Sequence, residues 1–317
     1  MKHLLAIVVL FLASCSPSPE PAPNGGAKKL VVGFSQIGAE SEWRALETES
    51  IKQEAARRGI ELKFADAQGR QENQIKALKS FVAQKVDAIV LAPQTKLGWE
   101  NVLAEVARAK IPLVLVDRGI EVKDDALYAT LIASDFVEEG RMIGRWLGEK
   151  TGGECRVVEL AGTVGSDPAI ERAKGFAEAI AAFPGVKVIK SQPAEFTRAK
   201  GKEVMEAFLK SDGDAIQAVY AHNDDMALGA LQALEEAGKK PGVDVLVLAI
   251  DAAKPAFTEL VAGRVSALVE CSPLLGPLAF DAVEKAVRGE ALSKRTEVPD
   301  RLFDASNAAA EFSKREY

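Results

Sequence analysis

Carboxylates, guanidiniums, an amide and aromatic rings recur in this chain directly after short apolar runs. Glu40, Glu42, Trp43 and Arg44 follow Leu30-Val31-Val32-Gly33-Phe34, and Asp117-Arg118 follows Leu113-Val114-Leu115-Val116. In the second half, Arg172 lies beyond Arg156-Val157-Val158-Glu159-Leu160, and Glu195-Phe196 lies beyond the run 186–189. Asn223-Asp224-Asp225 follows Ala218-Val219-Tyr220, and Asp251 closes the run 245–250. Such a set suits a polyhydroxylated ring. Each hydroxyl is both donor and acceptor, so it needs carboxylates to take its proton and Arg or Asn to donate to its oxygen. The planar Arg fork spans two neighbouring oxygens, and an aromatic ring covers an apolar C–H face. Charged hydrogen bonds contribute roughly 1.5–3 kcal/mol each, which after ordering costs fits affinities near a micromolar, about −8 kcal/mol.

Taken singly, each residue also has a plainer role open to it. Asp117 and Arg118 could pair only with each other at a strand end. Trp43 could be a core residue of its helix, and Arg172 a solvated one. Asn223 and Asp251 could be helix caps. The same stretches contain no phosphate-cradling glycine loop, nucleophile elbow, zinc motif or Walker loop, so no catalytic residue, metal or cofactor is assigned. His222, the one histidine beyond His3, has no evident metal-ligating partner and reads as structural. Paired carboxylates could hydrolyse a glycoside, which keeps a hydrolase as an alternative that turnover would reveal.

The elements that must hold these residues alternate regularly. Apolar runs at 30–34, 60–65, 88–91, 113–116 and 128–132 predict strands, separated by helical periodicity over 43–58, 71–84 and 99–109. A helix over 135–149 leads into strands at 156–160, 186–189, 218–220 and 245–250. Helices run between them through Phe176, through Met205 and from Asn223, and further helices fall near Phe257 and over 277–288. Strands rich in Val, Ile and Leu between amphipathic helices indicate right-handed βαβ units and parallel sheets covered on both faces. Two such series of similar length predict an α/β protein of two similar domains. In sheets of this kind ligands bind beyond the carboxyl ends of the strands, where the residues above lie.

The chain has 317 residues, 40 basic and 46 acidic, with no Lys/Arg run, which argues against a nucleic-acid partner. Its start has the form of an export signal: Lys2 and His3, then the apolar run Leu4 to Leu12, too short to span a bilayer. Leu12-Ala13-Ser14-Cys15 resembles the bacterial lipobox, which makes Cys15 the expected lipidation site; a secreted protein cut nearby is the alternative. Pro17, Pro19, Pro21 and Pro23 then mark an extended tether with a reach of roughly 35 Å. Cys155 and Cys271 could pair in an exported protein or remain two buried thiols.

Val32-Gly33-Phe34-Ser35-Gln36, Asp117-Arg118, the stretch 172–176 and Ala221-His222-Asn223-Asp224-Asp225-Met226-Ala227 resemble the periplasmic binding proteins of pentose and hexose ABC transporters. The stretches 40–44, 71–76 and 197–206 resemble the galactofuranose-binding branch. The resemblance implies the type I fold: two Rossmann-like domains joined by three crossover strands, with a monosaccharide in the cleft and hinge closure around it. The expected division is a leader over 1–15, a tether over 16–28, a first domain over 29–133 plus 270–294, and a second over 134–269 plus 295–317. The implied ligand set is Glu40, Glu42, Trp43, Arg44, Asp117, Arg118, Arg172, Phe196, Asn223, Asp251 and Glu270. Many relatives carry two aromatic residues where Trp43 and Arg44 stand. Gln217 occupies the neighbourhood of a Cys that would pair with the one at Cys155. The implied partners are an ABC permease and, through the lipid, a membrane, for a chain expected to be monomeric. Presenting the sugar to a membrane receptor is the alternative role. A repressor would need a DNA-binding helix-turn-helix where the export signal stands.

Overall fold

The computed structural model describes residues 29–317, so the expected leader, Cys15 and the tether lie outside the described residues. The first series is β1 (Val31–Gln36), α1 (Glu42–Arg57), β2 (Glu61–Asp66), α2 (Gln71–Ala83), β3 (Ala88–Leu91), α3 (Glu100–Arg108), β4 (Leu113–Val116) and β5 (Thr130–Ser134). The second is α4 (Phe136–Lys150), β6 (Glu154–Ala161), α5 (Asp167–Ile180), β7 (Gly185–Pro193), α6 (Arg198–Asp212), β8 (Ala218–Ala221), α7 (Asp224–Glu236), β9 (Leu246–Asp251), α8 (Lys254–Val261) and β10 (Ala267–Glu270). The chain ends with α9 (Gly276–Val287), β11 (Arg295–Val298), β12 (Leu302–Asp304) and α10 (Ala308–Phe312).

Side-chain alternation builds the layers. On the central strands of the first sheet, Ala88, Val90, Val114 and Val116 face one side, while Ile89, Leu91, Leu113 and Leu115 face the other. Both sets are buried, so these short runs are apolar throughout rather than alternating with polar residues. One face packs Ile51 of α1 and Phe280 of α9; the other packs Leu78 of α2 and Leu103 of α3. Helix starts are set locally: Ser41, Asp135, Thr197 and Asn223 each accept a backbone N–H of the first turn of α1, α4, α6 and α7.

The strand orders are β11-β5-β4-β3-β1-β2 and β12-β10-β9-β8-β6-β7, each of six strands and parallel except for the β10–β12 pair. The chain passes between the sheets after β5, after β10 and between β11 and β12, giving three crossovers along one edge. Here the sequence expectation needs correction. The segment 295–317 does not stay together, because Thr296 of β11 pairs with Ile132 in the first sheet whereas Phe303 of β12 pairs with Leu268 in the second. The strands β10, β11 and β12 were not expected as strands. β11 is an edge strand of sequence RTEV with only Val298 buried, so it carries no apolar signature. Cys155 and Cys271 are buried free thiols. Beside Cys155, the Gln217 side chain accepts the Arg156 N–H at 2.8 Å, a hydrogen bond between β6 and the start of β8.

Candidate functional site

The carboxyl ends of the two sheets face each other across a cleft, and a space of about 290 Å³, counted out to solvent, lies between them. It is lined by Glu40, Trp43, Arg44, Asp117 and Arg118 from the first domain, and by Arg172, Phe196, Asn223 and Asp251 from the second. That is nine of the eleven expected residues.

Each wall is a guanidinium held by carboxylates. Arg44, on the first turn of α1, donates to Glu47 Oε2 and to Asp117 Oδ2, both at 2.5 Å, and lies 3.3 Å from Glu40 Oε1. Burial alone would lower its pKa, but Asp117, Glu47 and Glu40 together raise it well above the ordinary value. Arg118 is less satisfied. Its Nε lies 3.4 Å from Asp117 Oδ2 with no hydrogen-bond acceptor, and a terminal nitrogen reaches Gln94 O at 3.3 Å. Burial and the neighbouring Arg44 charge lower its pKa. Asp117 holds this geometry with φ +63°, a left-handed conformation that non-glycine residues seldom adopt, so strain accumulates where the function is expected.

Opposite, Arg172 on α5 donates to Glu139 Oε2 and to the His222 carbonyl, both at 2.6 Å, and stands 3.7 Å from Asp251 Oδ1. Glu139 reaches it from α4 because those two helices almost touch. A Cβ on Gly140 would lie 2.3 Å from Arg172 O, and one on Gly175 would lie 1.9 Å from Val137 O. Burial pushes the Glu139 and Asp251 carboxyls up, and Arg172 opposes the rise at both. Arg172 is thus buried, not solvated.

The remaining alternatives resolve individually. Asn223 is a helix cap, accepting Met226 N–H at 3.0 Å, yet it also lines the cavity while its amide donates to Phe196 O. Asp251 is not a cap, since α8 starts after Ala253. Trp43 is core and cavity wall together, with its Nε1 donating to Cys271 O at 2.6 Å. Phe196, at φ +60°, lies against Gly162, where a Cβ would sit 2.0 Å from its ring. His222 is buried between Glu159, at 3.0 Å from Nε2, and the Gly162 N–H, which Nδ1 accepts at 3.3 Å.

Two expected residues lie elsewhere. Glu42 is exposed; only its backbone N–H is engaged, donating to Asp225 Oδ2 at 2.8 Å across the cleft. Glu270 ends β10 and is held by Arg315, Arg301 and the Tyr317 hydroxyl, away from the cavity. Neither lines the cavity. Sequence reading missed Ser41, Pro168 and Cys271 in the lining, and the buried carboxylates Glu47 and Glu139 that fix the two guanidiniums. The glycines that bring α4 and α5 together were the only available signal for Glu139.

Two doubly covered parallel sheets closing on a buried polar cavity define a two-lobed α/β binding protein. The periplasmic binding protein domain family matches residues 32–291, and the chain belongs to that family. It is 51% identical over 319 aligned positions to the galactofuranose-binding protein of Escherichia coli (strain K12), covering 99% of this chain and 98% of that protein. Among solved structures, it is similar to the periplasmic binding protein component of the arabinose ABC transporter from Shewanella sp. ANA-3 bound to α- and β-L-arabinofuranose. That match has 54% identity and a TM-score of 0.88, and covers 90% of this chain and 95% of that one. A Mycobacterium smegmatis protein in complex with β-D-fucofuranose matches at 47% identity and TM-score 0.89, covering 91% and 95%.

Proposed function

We propose that this chain is the substrate-binding protein of an ABC sugar importer, closing on one neutral monosaccharide in its furanose form and delivering it to the permease. The observation that carries this reading is the cavity itself: a space between two domains, walled by guanidiniums, carboxylates and an amide, with Trp43 and Phe196 as apolar surfaces. Arg44, Arg118 and Arg172 are outnumbered by Glu40, Glu47, Asp117, Glu139 and Asp251, which disfavours an anionic sugar. Arg44 also places a hydrogen-bonding edge, not a second aromatic face, beside Trp43, which suits a ring gripped along its hydroxyls. The relatives with arabinofuranose and fucofuranose bound support the furanose form.

The protein releases its ligand chemically unchanged. Export and anchoring through a lipid on Cys15, with the segment 16–28 as tether, complete the reading. Calorimetry with L-arabinose and D-galactose, with NMR of the bound labelled sugar, tests it. The expectation is affinity near a micromolar or tighter, a five-membered bound ring and unaltered sugar after release. Absence of heat across a sugar panel, a bound pyranose or turnover would overturn it. Labelled fatty acid retained after Cys15→Ser would refute the anchor, and unchanged uptake in a deletion strain would refute the permease partner.

A further inference from the structure

The three crossovers lie along the β5/β11 and β10/β12 edges, so β2 and β7 mark the far, opening edge of the cleft. A second chamber of about 1080 Å³, counted out to solvent, lies there between the domains. Its walls include Asp66, Gln68 and Gln94 from the first domain and Thr163, Glu195 and Thr197 from the second. Glu40 lines both this chamber and the inner cavity, so the two spaces meet at its carboxylate.

The contacts that close the cleft stand to either side of this chamber. On one flank Lys96 pairs with Asp167 and, at 3.0 Å, with Glu171, while the Gly119 N–H donates to Asp167 Oδ2 at 2.8 Å. On the other, the Glu42 N–H donates to Asp225 Oδ2. Among the described residues no hydrogen bond or ion pair joins 37–40 or 66–69 to Thr163 or 195–197. No polar contact therefore ties these two lips of the chamber together beside Glu40.

Two buried acceptors on residues that line the chamber, Glu40 Oε2 and Gln94 Oε1, lack a donor within the protein. A hydroxyl-bearing ligand supplies what they need, since each hydroxyl carries a proton to give. The chamber lining holds Glu40, Asp66 and Glu195 and neither Lys nor Arg, which disfavours an anionic group.

We infer that the mouth chamber is a second subsite, taking a neutral sugar unit attached to the furanose held in the inner cavity, so that the closed protein accepts short furanosyl oligosaccharides as well as the free sugar. This rests on the proposed function. The inner cavity fixes one ring, and the substituent passes Glu40 into a polar space offering hydrogen bonds from both domains.

The test compares D-galactose with a galactofuranose–galactofuranose disaccharide by calorimetry. The disaccharide presents one ring substituted at its anomeric carbon and one substituted at a ring hydroxyl, so either direction of entry is available. Expected are a disaccharide affinity equal to or tighter than that of galactose, and competition between the two. Thr163→Trp, which fills the chamber, should weaken the disaccharide about tenfold or more and leave galactose within about twofold. Gln68→Ala should weaken the disaccharide alone, by up to about fivefold. Galactose binding without disaccharide binding, or equal losses for both ligands in the variants, would overturn the subsite and leave the proposed function standing. Failure of wild-type protein to bind either sugar would overturn both.

Discussion

Arg118→Met separates a binding role from a structural one. The guanidinium has a buried Nε with no acceptor, a 3.4 Å approach to Asp117, a 3.8 Å approach to Glu40 and a single 3.3 Å bond to the Gln94 carbonyl. It also stands in the field of Arg44, which together with burial makes its charge unfavourable without a ligand. Little of the fold therefore depends on it, and methionine preserves the stem that packs near the Phe196 ring, 5.2 Å from the guanidinium carbon. Arg118 also lines the cavity. Removing one or two charged hydrogen bonds to sugar hydroxyls costs about 1.5–3 kcal/mol, a loss of about tenfold to a hundredfold in affinity. Calorimetry should show that loss, while urea unfolding without sugar changes by less than about 1 kcal/mol. Sugar affinity within about twofold of wild type, or a sugar-free protein destabilised by several kcal/mol, would refute this division of labour.

The other predictions follow from the same geometry. Arg172→Met leaves Glu139, which is 0% exposed, without its cation; urea unfolding should show a loss of about 3–5 kcal/mol, and adding Glu139→Gln should restore part of it. Lys96→Ala removes a partly exposed bridge across the closed cleft, so stopped-flow dissociation of sugar should speed up by no more than about fivefold, matching ~1 kcal/mol. Asp300, at the crossover between β11 and β12, has its carboxyl pushed up to about 9 by burial and by the Glu139 charge. The folded protein retains that proton while the unfolded chain releases it near ~3.9, so the group's contribution to stability falls as pH rises between those values. Asp300→Asn should therefore raise the melting temperature at about pH 8 and leave it unchanged near pH 4, and an equal shift at both would contradict the assignment.

The alternating α/β plan and most of the cavity were legible because both follow from local patterns. Short apolar runs between helices fix the sheets, and strand ends then identify Asp117, Arg118, Asn223 and Asp251 without knowledge of packing. What escaped depends on contacts between distant segments. Glu47 and Glu139 sit on helices, where a carboxylate ordinarily reads as a solvated surface group, and only the arrival of Arg44 and Arg172 explains their burial. Asp225 belongs to a legible helix start, but its hold on the Glu42 N–H exists only when the domains meet. β11 is polar in sequence and is a strand only because β5 offers it an edge. Glu270 is implied by the family resemblance alone, and its contacts with the C-terminal Arg315 and Tyr317 exist only once the chain end folds back.

A crystal structure of the protein grown with L-arabinose tests the central claim most directly. The account predicts a five-membered ring in the cavity between Trp43 and Phe196, with hydroxyls within hydrogen-bond distance of Arg118, Arg172 and Asn223. A six-membered ring there, or a sugar bound outside the cleft with these side chains uninvolved, would contradict it.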